Sequence, residues 1–135
     1  MSSKSLRLLL VEDEALIAMM AEDLVEALGH SVCITAATLD EALGVCSDGA
    51  FDAALLDVNL NGDSSMAVAT LLAARGCPFA FTTGYGAGGV GPEHAGRPVL
   101  TKPYALADLE AVLDDFVRQL AGTISTTSSV DSNRG

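Results

Sequence analysis

The chain has 135 residues, half of them apolar, with 18 acids against 7 bases and a net charge of −11. That length suits one domain with a real core, and no apolar stretch approaches the ~18 residues that a membrane span requires. No Lys or Arg lies between Arg7 and Arg75, where twelve Asp or Glu fall, so the clustered bases needed to bind a nucleic-acid backbone are missing. The opening MSSKS leads into LRLLLV and then straight into acids. That is no signal-peptide pattern, and the chain reads as cytoplasmic. Cys33, Cys46 and Cys77 form no CxxC pair and are odd in number, so they read as buried small hydrophobes rather than as disulfides or zinc ligands. His30 and His94 have no partners at metal or triad spacing.

Taken in chain order, the pattern alternates strand and helix. Leu6–Val11 is an apolar run, and Ala15–Leu28 places Leu16, Met20, Leu24 and Leu28 at steps of four, with Ile17 and Ala21 alongside. This predicts an amphipathic helix with those residues inward, closed by Gly29. SVCITA (Ser31–Ala36) reads as a β-branched strand. A short helix over Thr38–Cys46 follows, with Leu39, Ala42 and Leu43 inward. Ala53–Leu56 is a continuous apolar strand, Asn61–Gly62 a turn signal, and Ser65–Ala74 an Ala/Leu helix ended by Gly76. After the strand Pro78–Thr82 comes GYGAGGVGPEHAGRP, a poor helix former throughout, so a fourth helix there is expected to be short or mobile. Pro98–Thr101 is a short fifth strand. The last helix carries one wide stripe: Leu106, Leu109, Val112, Leu113, Phe116, Val117 and Leu120. Gly122 then opens a Ser/Thr-rich stretch, read as a disordered tail over 122–135 behind a domain of 1–121.

Five strands alternating with helices imply an α/β fold, a parallel sheet covered on both faces. Four strands end on polar residues of different kinds: Glu12 and Asp13, Asp57, Thr83, and Lys102. Each has an ordinary structural role when taken alone. Asp13 fits a helix N-cap, Asp57 the start of a turn, Thr83 a turn beside Gly84, and Lys102 a solvated cation. Ligands in such folds bind at the carboxyl ends of the strands, where strand order reverses, so the four ends belong together. Glu12, Asp13 and Asp57 could supply hard oxygen ligands to Mg²⁺, with a backbone carbonyl just after Asp57 completing the set. Metal and Lys102 would keep Asp57 ionised as a nucleophile toward a phosphoryl group, and Thr83 would donate to the new phosphoryl oxygen.

At this point the chain resembles the receiver domain of two-component response regulators. The matching residues are Val11–Asp13, Leu55–Asp57, Thr83–Gly84 and Lys102–Pro103, and the likeness covers 6–120. It implies a flavodoxin-like (βα)5 fold. It also implies Asp57 as phosphoacceptor, Glu12 and Asp13 as the acid pair holding Mg²⁺, and the Asn59 backbone carbonyl as a further ligand. Thr83 takes the place of the switch hydroxyl and Lys102 that of the phosphate-binding lysine, before a usually cis Lys–Pro bond. A narrower likeness, Phe81–Tyr85 with PVLTKPY after it, is to receivers with a Phe-Ala-Thr-Gly-Tyr motif, often single-domain proteins of bacterial stress signalling or parts of hybrid kinases. The resemblance implies a histidine kinase or histidine phosphotransfer protein as partner, no nucleic acid, no membrane, and a monomer or weak dimer. It implies no enzyme beyond assistance to its own phosphorylation and dephosphorylation. With no further domain after the last helix, output is expected through protein–protein contacts, and the acidic first helix (Glu14, Glu22, Asp23, Glu26 beside Leu16 and Met20) is a candidate docking surface.

Two departures stand out. Val99 occupies the place of the usual switch aromatic, which leaves Tyr85 or another route to couple with Thr83. The Gly-rich stretch contains Gly84-x-Gly86-x-x-Gly89, a fit to the dinucleotide fingerprint, but no helix can open before Pro98. A haloacid-dehalogenase-like phosphohydrolase would need a second acid two residues after its nucleophile; here Asn59 stands there, and an amide cannot serve. The remaining alternatives are a phosphorylation-independent binding module and the receiver of a hybrid kinase.

Overall fold

The computed structural model describes residues 5–84 and 89–130, without the side chains of Asp48 and of 123–130. Its strands are β1 (Arg7–Val11), β2 (Ser31–Ala36), β3 (Ala53–Asp57), the two-residue β4 (Asn59–Leu60) and β5 (Asp63–Ser64), β6 (Phe79–Thr83) and β7 (Val99–Thr101). Its helices are α1 (Ala15–Ala27), α2 (Leu39–Asp48), α3 (Met66–Ala74) and α4 (Leu106–Val130). Five strands pair in parallel in the order β2-β1-β3-β6-β7, and β4 and β5 form a small antiparallel hairpin. This is the expected five-stranded parallel α/β sheet with helices on both faces.

The central strands are apolar to their last turn because both faces are covered. AALLD in β3 and FAFTT in β6 are buried at every position. Strand alternation sorts their side chains into two cores. Leu8, Leu10, Leu55, Ala80 and Leu100 pack with α1 and α4, around Phe116 and Leu113. On the other face Leu9, Leu56, Phe79 and Phe81 pack with α2 and α3. Phe79 and Phe81 meet edge to face at 5.4 Å, a geometry that aligns the rings' quadrupoles favourably.

Three expectations are corrected. In α1 the buried residues are Ala18, Ala21 and Val25, whereas Leu16 is 75% exposed and Met20 49%. A row at steps of four drifts by about 40° per step, so it begins on the solvent side at Leu16 and reaches the sheet only at the half-buried Leu24 and Leu28. In α4, Leu106 is likewise exposed, and Tyr104, just before the helix, takes a core position instead. The helix itself runs on through Gly122 to Val130, so the stretch assigned to a tail over 122–135 is helical that far. One Gly inside a long helix costs only about 1 kcal/mol. Residues 131–135 lie outside the described residues.

Between β6 and β7 the described residues 89–98 hold only a 3-10 turn, Pro92–His94, as the Gly and Pro content predicts. His94 is buried there, its ring centroid 6.0 Å from Phe79 and 6.1 Å from Phe81, and it serves as a core side chain. Cys46 and Cys77 are buried as expected; Cys33 is exposed, because β2 is an edge strand whose outer face meets solvent. No helix among the described residues is long and apolar enough to cross a membrane.

Phe116→Ala should lose about 3–5 kcal/mol of unfolding free energy, and Leu16→Ala should stay within about 0.5 kcal/mol of the parent. Urea unfolding of both variants checks this, and equal losses would overturn the burial assignment of α1.

Candidate functional site

The carboxyl ends of β1, β3, β6 and β7 share one edge of the sheet. The register sets Val11 beside Leu56, Asp57 beside Thr82, and Thr83 beside Thr101, so Glu12, Asp57, Thr83 and Lys102 fall side by side. The Lys102 ammonium stands between two carboxylates, 2.9 Å from Asp57 Oδ2 and 3.1 and 3.3 Å from the oxygens of Glu12. Glu12 is 2% exposed and Asp57 4%. The other Asp57 oxygen, Oδ1, accepts from the Asn59 N–H at 3.2 Å, and Glu12 Oε2 accepts from the Glu14 N–H at 3.1 Å.

Asp13 is not the cap of α1. Glu14 occupies the N-cap without a side-chain bond, while Asp13 Oδ2 accepts from the Asn61 N–H at 2.9 Å. That donor is delivered by the β4–β5 hairpin, whose turn residues Asn61 and Gly62 both have positive φ, 53° and 92°. Asn-Gly adopts that turn at little steric cost. The Asn59 side-chain oxygen accepts from the Gly62 N–H at 2.8 Å, so its amide closes the turn while its backbone borders the site. Carboxylate oxygens of Glu12, Asp13 and Asp57 lie within 4.8 Å of one another.

Burial dominates the electrostatics. Glu12 is pushed up to about 7, first by burial and further by the Asp57 charge, against the pull of the Glu14 N–H and of Lys102. Asp57 is raised by burial, with Lys102 and the Asn59 N–H opposing. Burial presses the Lys102 ammonium down, and its two carboxylate partners outweigh that and raise it. One ammonium thus faces three clustered acids, an excess of negative charge that a divalent cation with hard oxygen ligands would relieve.

A cleft of about 550 Å³ opens over these groups, lined by Asp13, Ile17, Asp57, Asn59, Thr83 and Lys102. Gly89 also borders it, at φ 94°, where a Cβ would come within 2.7 Å of Val58. The Lys102 N–H donates to the Thr83 carbonyl at 2.8 Å, and the Lys102–Pro103 bond is cis.

The structure therefore brings together Glu12, Asp13, Asp57, Asn59, Thr83 and Lys102. Tyr85 lies outside the described residues. Val99 is half-buried and packs with the Phe81 core, and Gly89 leads to a 3-10 turn rather than the long helix that a dinucleotide fingerprint opens. Sequence reasoning missed Thr82 and Tyr104, buried residues next to the site. The signal was present as a polar Thr at the end of an apolar strand and a Tyr directly after Lys102–Pro103.

No protein-family model matches the chain. The phyllosphere-induced regulator PhyR of Methylorubrum extorquens is 38% identical over 126 residues, which cover 84% of this chain and 45% of PhyR; the chain spans about half the length of that relative. The solution structure of SdrG from Sphingomonas melonis is 43% identical, with a TM-score of 0.75 over 87% of this chain and 99% of SdrG. The receiver domain of the PhyR response regulator from Erythrobacter litoralis is 28% identical, with a TM-score of 0.68 over 84% of this chain and 90% of that domain. The fold and the acid–lysine edge define a receiver, and the chain belongs to the receiver-domain family of response regulators.

In metal-free buffer the raised Glu12 makes the folded state hold a proton that the unfolded chain releases near pH 4.5. Stability contributed by this group is therefore present below pH 4.5 and is lost as pH rises toward about 7. Urea unfolding in EDTA at several pH values should show a steeper decline for the parent than for Glu12→Gln; parallel curves would contradict the assignment.

Proposed function

We propose that this chain is a phosphorylatable receiver whose Asp57 accepts a phosphoryl group from a histidine kinase or a histidine phosphotransfer protein. The observation that carries the reading is the Lys102 ammonium, 2.9 Å from a buried Asp57 oxygen within a cluster of acids. An Asp57 oxygen attacks phosphorus, a new P–O bond forms, and the bond to the donor's nitrogen or acyl oxygen breaks with its electron pair leaving on the donor. Lys102 is placed to neutralise charge on the incoming phosphoryl oxygens, and the Thr83 hydroxyl to donate to one of them. Asp13, Asp57 and the Asn59 carbonyl would hold Mg²⁺ directly. Glu12, both of whose oxygens are engaged by Lys102 and one also by the Glu14 N–H, would support the site from behind. When bound, Mg²⁺ would supply further neutralisation of the transferring group.

On this reading the chain catalyses nothing but its own phosphorylation and dephosphorylation. SdrG has been solved in a beryllofluoride-activated conformation, and beryllofluoride is a phosphoryl analogue. PhyR of Bartonella quintana is described as an anti-anti-sigma factor; for this chain that supports output through protein–protein contacts in a stress-signalling pathway. The exposed Leu16, Met19 and Met20 on α1 suit the docking of a kinase or phosphotransfer partner. The second reading is a phosphorylation-independent binding module, which Val99 favours by removing the usual switch aromatic.

Intact mass after incubation with acetyl phosphate and Mg²⁺ should show one phosphoryl adduct. Asp57→Asn or EDTA should abolish it, and Lys102→Ala should slow it by about 10-fold or more. No adduct on the parent, with Mg²⁺ shown not to bind, would shift the weight to the binding module.

A further inference from the structure

Ser65 stands where α3 begins, is 0% exposed, and makes no capping bond to the helix. A Ser at that position ordinarily turns its oxygen forward to accept from the first free N–H groups. Here the Met66 N–H goes to Ser64 Oγ at 3.2 Å instead. The Ser65 hydroxyl donates backward, across the base of the β4–β5 hairpin, to the Val58 carbonyl at 3.1 Å. The Ser65 N–H donates to the same oxygen at 3.0 Å. One carbonyl thus takes two donors from one residue. The start of α3 does not require this, since a helix start would gain from the forward bond that Ser65 forgoes.

Val58 follows Asp57 directly, and its own N–H donates to the Thr82 carbonyl on β6 at 3.0 Å. Its carbonyl belongs to the same planar peptide as the Asn59 N–H, and in a trans peptide the two point in opposite directions. Gripping the carbonyl from one side therefore aims the N–H to the other, where Asp57 Oδ1 accepts it at 3.2 Å. With the Lys102 ammonium 2.9 Å from Oδ2, both oxygens of the carboxylate are held. The same grip closes the hairpin whose turn delivers the Asn61 N–H to Asp13. We propose that Ser65 is a positioning residue of the phosphoryl-accepting site: by clamping the Val58 carbonyl it holds the Asn59 N–H on Asp57 and the hairpin on Asp13. This rests on the receiver reading and deepens it, by tracing the orientation of the two acids to the start of α3. Without the hydroxyl the carbonyl keeps one donor, the peptide can rock, and Asp57 is held less firmly in line for an incoming phosphoryl group.

The test measures binding of beryllofluoride with Mg²⁺ by calorimetry, beside the amide proton resonance of Asn59 in the ligand-free protein. Ser65→Ala should weaken binding by about 3–10-fold, the worth of one net hydrogen bond. It should also shift the Asn59 amide proton upfield, as its bond to Asp57 loosens. Val25→Ala, a core truncation near the far end of α1, costs stability yet should keep parental affinity and leave that resonance in place. Parental affinity in Ser65→Ala, an unmoved Asn59 amide, or an equal loss in Val25→Ala would each overturn the proposal while leaving the receiver reading standing. No beryllofluoride binding by the parent, matching Asp57→Asn, would overturn both.

Discussion

One ammonium shared by two buried carboxylates organises this molecule. Lys102 lies within 3.1 Å of Glu12 and 2.9 Å of Asp57, and neither acid has solvent enough to carry its charge alone. A buried ion pair of this kind is weak evidence for stability, since desolvation offsets most of the attraction. Its arithmetic is more informative. Glu12, Asp13 and Asp57 cluster at the edge, and Lys102 is the one cation that contacts them among the described residues. Both Glu12 and Asp57 are displaced upward, first by burial and then by the charge of a neighbouring acid. The edge is built to receive positive charge.

The rest of the fold makes that arrangement tolerable by being largely apolar. β3 and β6 are buried along their full length, and the two cores on either face consist almost wholly of aliphatic and aromatic side chains. The buried acids Glu12 and Asp57 sit at the carboxyl ends of strands, where backbone N–H groups of the next turn bind them. The Asn59 and Glu14 amides serve Asp57 and Glu12 in this way. The hairpin after β3 extends the device, since the tight turn at Asn61–Gly62 aims one more N–H at Asp13.

Much of this was legible before any coordinates. Apolar runs that stop abruptly on Glu12, Asp57, Thr83 and Lys102 announce both the strands and the edge, because period-free apolar runs suit strands covered on both faces. The burial of α1 was misread, since Leu16 and Met20 are larger than Ala18 and Ala21, and spacing by four does not hold one face. Small residues face the sheet because the helix packs closely upon it. The Asn61 N–H that Asp13 accepts comes from far along the chain, so spacing alone could not show this partner. Two-residue strands such as β4 and β5 are too short for any periodic signal. Thr82 and Tyr104 could not be placed together from spacing, because their proximity depends on the pairing of β6 with β7.

Val99 closes one route of coupling. It packs on the α2–α3 side with Phe81, and it offers no ring to turn toward Thr83. Coupling through a rotating aromatic at that position is therefore closed to this chain. Charge provides another route. If a phosphoryl group on Asp57 draws Lys102 away, Glu12 loses its counter-ion inside the protein and must either take up a proton or face a metal. A proton is available to a carboxyl already raised to about 7, but a divalent cation serves Asp13, Asp57 and the phosphoryl oxygens together. Such a cation would offset the surplus of acids at the sheet edge.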